Sequence, residues 1–353
     1  MPISTTDGET RVTTAFTPGN AEALARRALV AYGLPADATL TFVKLRENCV
    51  FRVDVPGSAF AMRLHRPGYR SRAEVAAEVE FVRALANEGF PVADVVPDAT
   101  GVHLFLATHD GLEVVVDLQR WIDTPGGLDS AEAAFGGTSL LGAEDFHQIG
   151  ELAARMHNAS ERLAAGRTFE RVPWDLDGLL GATPLWGDPR ALPALDDEQR
   201  RVLDGVIAHL TQVLTCYGAM PGVYGPIHAD FTPENLLRTP AGLVVIDFDD
   251  CGDGWHLFDL ATALFWYLPH PRYPAYREAL IRGYRSVRPL DDDALDLLED
   301  FLTARGLTYL GWAATRPETE AAGFIAAEVL PLVLRLARER LAARPAPAAQ
   351  FVP

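Results

Sequence analysis

The chain has 353 residues, 48% of them hydrophobic and 22% charged, which is ordinary for a globular protein and long enough for two lobes and a sizeable core. A net charge of -17 argues against the basic face that nucleic-acid phosphates require, and no run approaches the roughly 18 apolar residues that span a bilayer. The start MPISTTDGETR lacks a signal-peptide core, and the three cysteines, Cys49, Cys216 and Cys251, are odd in number and without metal spacing, so a reducing cytoplasm is the expected location.

The first hundred and twenty residues read as strand-rich. Ala38 to Leu45, Val50 to Val55 and Ala59 to His65 are short strand-like runs, the last two joined at Pro56-Gly57-Ser58. Arg46-Glu47-Asn48-Cys49 is the expected turn before the second of them. It carries no G-x-G-x-x-G phosphate loop. The third run ends in a cation, Arg63, and a helix is expected from Ser71 to about Asn87. Phe81, Val82 and Leu85 follow Glu78 at helical spacing, so Glu78 shares their inward face, with Glu74 one turn earlier; Glu80 lies on another face. Val114 to Gln119 is a further strand and Arg120 to Pro125 its exit. Gly126 to Gly142, rich in small residues, reads as a crossing loop or insertion.

From about Glu144 the periodicity turns helical and runs to His157, a position expected to pack in the core. The irregular stretch from Val172 to Pro193 holds Trp174, Asp175 and Trp186 and reads as either the lining of an acceptor pocket or a surface excursion. A helix from about Asp196 to Thr215 precedes the most informative segment, IHADFTPENLL, and LVVIDFDD follows it. Two apolar runs, Leu236 to Arg238 and Leu243 to Ile246, flank Thr239-Pro240-Ala241-Gly242, which is a hairpin signal. Centring the hairpin on Ala241 places Asn235 opposite Asp247. An amide oxygen and a carboxylate side by side suit a hard cation such as Mg2+ that also takes phosphate oxygens. Asp230 stands just outside, where an acceptor hydroxyl would arrive. The chain is then expected to turn through Cys251 to Gly254 and enter a helix carrying Asp259 among apolar residues, where an unpaired charge would be expensive. Helices from Tyr273 to Ser286, Asp292 to Leu307 and Glu318 to Ala343, then a loose tail, complete the chain.

The joint pattern H-x-D-x-x-x-x-N and a strand ending in Asp resembles the catalytic and metal-binding loops of the protein-kinase-like fold, in its aminoglycoside phosphotransferase and choline kinase branch. That branch usually has Gly where Ala229 stands, and Asp249 occupies the place of a protein-kinase Gly, which favours the small-molecule branch. The resemblance implies an α+β fold: a small N-terminal antiparallel-sheet lobe (1–120), a larger mainly helical C-terminal lobe (121–343) and a tail (344–353). It implies ATP and Mg2+ as cofactors. Arg63 takes the place of a phosphate-contacting Lys, oriented by Glu78, with Asn48 in the turn over the nucleotide and the exit after Gln119 at the adenine. Asp230 accepts the hydroxyl proton. Asn235 and Asp247 hold the metal, and Asp249 is a second metal ligand, a contact for a cationic substrate or a solvated loop acid. His228 and Asp259 support the catalytic loop, Asp259 through backbone amides and the His of that loop. The acceptor is the hydroxyl of a small molecule (aminoglycoside, choline, homoserine or sugar-like). Three other readings stay open: a bacterial stress-type protein Ser/Thr kinase, a non-catalytic nucleotide sensor, and a metal phosphoesterase using the same acids without ATP.

Overall fold

The computed structural model describes residues 16–45, 47–164 and 169–343. The N-terminal segment, Arg46 and the expected tail from Arg344 lie outside these residues. The chain divides into two units, one made of the residues up to Arg83 with Ala93–Ile122 and the other of Ala84–Val92 with everything from Asp123.

In the first unit, β1 (Thr39–Leu45), β2 (Asn48–Val55), β3 (Ser58–His65), β4 (Val95–Val96), β5 (Phe105–His109) and β6 (Leu112–Arg120) form an antiparallel sheet in the order β1-β2-β3-β6-β4, with β5 also on β6. Alternation decides its faces. Phe51, Val53, Met62, Leu64, Val116 and Leu118 point to one buried cluster, each contributing about 1.5–3 kcal/mol on burial. A helix not expected from the sequence, Pro18–Ala31, covers that face with Ala21, Leu24, Ala25, Ala28 and Leu29. Thr17 caps it by accepting from Asn20 N at 3.3 Å, with proline in the first turn.

Asn48 and Cys49 require a correction. They are the first residues of β2, paired with His65 and Leu64, and both are buried, so the turn is shorter than the sequence suggested. The helix after β3 is Arg72–Asn87. Its start is a reciprocal cap, with Glu74 N donating to Ser71 Oγ at 3.2 Å and Ser71 N to Glu74 Oε2 at 2.9 Å. Glu74 is thereby a capping residue.

The second unit is mainly helical. Ala143–Ala164 lies against Tyr273–Val287, and the buried helices His256–Phe265 and Leu298–Thr315 pack on each other. Two expectations fail here. Cys251 to Gly254 is not a turn: Gly252–Trp255 is a strand, β10, antiparallel to β7 (Tyr224–Ile227). Its glycines answer to crowding, since a Cβ on Gly252 would lie 2.6 Å from the Val172 carbonyl oxygen and one on Gly254 would lie 2.5 Å from Ile227 Cδ1. The expected helix ending at Leu307 is also two pieces, Asp292–Leu295 and Leu298–Thr315. The last helix is interrupted by a π stretch at Ile325–Val329, just before Pro331, which has no N–H to donate. No helix of the described residues is long and apolar enough to cross a membrane.

Candidate active site

The candidate catalytic segment, His228 to Asn235, begins where β7 ends. β8 (Leu236–Thr239) and β9 (Gly242–Val245) form the expected hairpin, but Leu236 pairs with Val245 and Thr239 with Gly242. The ribbon therefore turns on Pro240-Ala241, and its register is one residue off the expected one. Asn235 stands across from Ile246, whose N–H donates to the Asn235 carbonyl at 3.0 Å, and not across from Asp247. Asp247 leaves the ladder with φ of 66°, a left-handed conformation that Asp tolerates better than most residues.

Asp230 is gripped on both oxygens. Asn235 Nδ2 donates to Asp230 Oδ2 at 2.9 Å and to the Asp230 carbonyl at 2.9 Å. Both amide hydrogens are thus used, and the acceptor Oδ1 is the atom Asn235 can offer a cation. Arg305 Nη2 donates to Asp230 Oδ1 at 2.6 Å. Burial pushes the Asp230 carboxyl above the ordinary carboxylate value. The charges of Asp250 and Asp247 push the same way, against Arg305 and His228.

Behind the loop, Asp259 is wholly buried and accepts from His228 N at 3.0 Å and Ala229 N at 2.8 Å. The expectation of backbone amides holds, but the imidazole it meets is His157 Nε2 at 3.1 Å, not that of His228. The His228 ring bridges elsewhere, with Nδ1 accepting from Asp230 N at 3.2 Å and Nε2 facing the Ile246 carbonyl at 3.0 Å. His228 thereby links the catalytic loop to the residue before Asp247. His157 is buried as expected, its Nδ1 2.9 Å from the Tyr284 hydroxyl, and its ring stacks on His256 at 4.4 Å. Ala229 has φ of 65°, which gives a steric reason for the Gly usual at that place.

The irregular stretch is a scaffold for the acidic loop. Trp174 Nε1 donates to the Asp250 carbonyl at 2.7 Å, Trp186 Nε1 to Asp250 Oδ1 at 3.2 Å, and Arg171 to the carbonyls of Asp249 and Cys251. Asp175 caps the short helix Leu176–Leu180. Asp249 is 4% exposed, so the reading of a solvated loop acid falls. The segment after Gly126 is no free crossing either. Leu128 N donates to the carbonyls of Pro233 and Leu236, Ala131 N to Glu234 Oε1, and a Cβ on Gly127 would lie 2.3 Å from the Glu234 carbonyl oxygen.

In the first unit, Arg63 Nη2 donates to Glu78 Oε1 at 2.6 Å and Arg63 Nε to Asp117 Oδ2 at 3.0 Å. All three residues are buried. Burial raises the Asp117 carboxyl, but Arg63 and His65 outweigh it and bring it down to about 2. Asp117 and His65 escape a sequence reading. The one signal was an acid inside the apolar run VVVDLQ.

A sheet unit and a mainly helical unit, with Asp230 bonded to Asn235 and Asp247 following the hairpin after it, are the makings of a kinase-like phosphotransferase. The chain belongs to the phosphotransferase enzyme family, whose model matches residues 40–298. It is 30% identical over 245 residues to a homoserine kinase of Burkholderia multivorans, an alignment spanning 64% of this chain and 65%, just under two thirds, of that relative. Among solved structures, a microcompartment-associated aminopropanol kinase superposes with a TM-score of 0.78 and 29% identity, covering 90% of this chain and 98% of its own. An amicoumacin kinase in complex with AMP-PNP and Ca2+ shares the fold at TM-score 0.70 and 21% identity, covering 92% and 96%. The chain is therefore a kinase that transfers a phosphoryl group to a hydroxyl, in a family that implies ATP and a divalent metal.

Proposed function

We propose that this enzyme phosphorylates the hydroxyl of a small amino alcohol at the expense of MgATP. The observation that carries the reading is the Asp230 carboxylate, held by Asn235 Nδ2 at 2.9 Å and standing in the field of Asp247 and Asp250. Two relatives support the acceptor class, since their names are homoserine kinase and aminopropanol kinase, and the Asp250 charge near Asp230 suits an ammonium group.

Asp230 orients the acceptor hydroxyl and takes its proton as the hydroxyl oxygen bonds to the γ-phosphorus and the bond from that phosphorus to the ADP oxygen breaks. Positioning and charge neutralisation do most of the work in such a transfer. The donors present fit a hard cation: Asn235 Oδ1 and the Asp247 carboxylate would hold Mg2+, with Asp249 as a further acid for metal or ammonium. When bound, the ion neutralises phosphate charge. Arg63, held by Glu78 and Asp117, is the cation we assign to the nucleotide phosphates. Asn48, opposite His65 on β3 and so on the sheet face of Arg63, is assigned with it to the nucleotide.

ADP release from MgATP, followed across a panel of amino alcohols, sugars and a protein Ser substrate, tests this reading. Amino alcohols should stimulate it most, and stimulation by sugars or protein alone would overturn the acceptor class. The metal assignment predicts its own result. Asp247→Ala should abolish the Mg2+-dependent tightening of ATP binding seen by calorimetry, and Asn235→Ala should weaken it less because a neutral oxygen is lost. Equal behaviour of Asp247→Ala and wild type would count against it.

A further inference from the structure

A guanidinium with no solvent exposure lies within the apolar helix Leu298–Thr315: Arg305 is 0% exposed. Burying that charge is expensive, and apolar residues in place of a buried ion pair are often no less stable. Its side-chain hydrogen bonds go to two consecutive residues of the loop, Ala229 and Asp230, and to one phenol. Nη1 donates to the Ala229 carbonyl at 3.1 Å, and Nη2 to Asp230 Oδ1 at 2.6 Å and to the Tyr309 hydroxyl at 3.0 Å. Aromatic faces seat the plane, with Tyr309 at 4.3 Å, Trp186 at 4.4 Å and Phe258 at 5.5 Å. Such a stack restrains the flat guanidinium as it could not restrain an ammonium.

The clamp is two-sided. Asp259 takes the N–H groups of His228 and Ala229, while Arg305 takes the carbonyl of Ala229 and the side chain of Asp230. The left-handed Ala229, at φ 65°, is thus fixed at both of its peptide groups. With Oδ1 on Arg305 and Oδ2 on Asn235, the Asp230 carboxylate has one orientation. We infer that Arg305, seated on Trp186 and Tyr309, is the positioning residue that aims Asp230 at the acceptor hydroxyl. The inference rests on the reading of Asp230 as proton acceptor. It also gives the tryptophan-rich stretch a task, since Trp186 both backs Arg305 and donates to Asp250 at 3.2 Å.

A double-variant cycle on the full chain tests it, with ADP release from MgATP measured in water alone and with L-homoserine as probe. Arg305→Met should lower kcat on the order of 10²-fold, the cost of a misplaced catalytic group, with KM for MgATP within about twofold of wild type. Added to Asp230→Asn, it should cost nothing further, because Arg305 acts through Asp230. A merely structural role would lower both backgrounds alike, and that result overturns the inference. Wild-type kcat in Arg305→Met beside an impaired Asp230→Asn sinks the inference alone, whereas wild-type kcat in Asp230→Asn removes the proton-acceptor reading and the inference with it. Should Arg305→Met fail to fold, Arg305→Lys keeps the charge without the fork. It should lose ~10-fold or more in kcat while binding MgATP normally, and full activity there is equally fatal.

Discussion

Asp230→Asn is expected to turn over on the order of 10²–10⁴ times more slowly than wild type, the usual range for a positioned proton acceptor. MgATP binding should be retained, because the assigned metal ligands, Asn235 and Asp247, are untouched. The fold should survive as well. The Asp230 carboxyl lies above its ordinary value because burial and the Asp250 and Asp247 charges outweigh Arg305 and His228. A carboxyl raised in this way is less at ease ionised in the folded protein than in the unfolded chain, so its own charge adds no stability at neutral pH, and the cost of neutralising it is confined to the wholly buried Arg305, which loses its counter-charge. Asn keeps one oxygen, enough for Arg305 but not for Asn235 Nδ2 as well. Steady-state rates and thermal melts together check this, and a variant with undiminished transfer would remove Asp230 from its role.

Asp259→Ala should show the opposite balance. Its carboxylate is the acceptor for two backbone N–H groups, those of His228 and Ala229, and lies 3.1 Å from His157 Nε2, all at buried positions. Deleting it leaves donors that water cannot reach, at about 1–3 kcal/mol each. The melting temperature should fall by roughly 2–4 °C for each kcal/mol lost in a domain of this size, and activity should fall because the loop carrying Asp230 loses its anchor. If Asp259→Ala melted like wild type while activity vanished, Asp259 would be acting directly on substrate or metal.

What the sequence reveals and what it hides divide along sequence separation. His228, Asp230 and Asn235 sit within eight residues of one another, so their spacing alone brings the candidate site together. Glu78 is legible because helical periodicity assigns it a face. The hairpin register is off by one because Thr239 to Gly242 fits a two- or three-residue turn equally well, and only the observed ladder, Leu236 with Val245, decides. Gly252 and Gly254 read as turn residues, yet they serve close packing in a strand, a demand set by Val172 and Ile227. Arg63 and Asp117 are 54 residues apart, and Arg305 and Asp230 are 75; periodicity does not report such pairings. A trace existed for each. Asp117 and Arg305 are charges in otherwise apolar runs, where a buried charge implies a partner.

The central claim is transfer of the ATP γ-phosphoryl group to a small-molecule hydroxyl, and the most direct test follows the phosphorus itself. The full chain, Mg2+ and γ-labelled ATP are incubated with homoserine or aminopropanol, and the products are separated and read by phosphorus NMR and mass spectrometry. The predicted result is label in a phosphomonoester on the acceptor's hydroxyl oxygen, formed one for one with ADP and lost in Asp230→Asn. Label found only as inorganic phosphate, or only on protein, would contradict it.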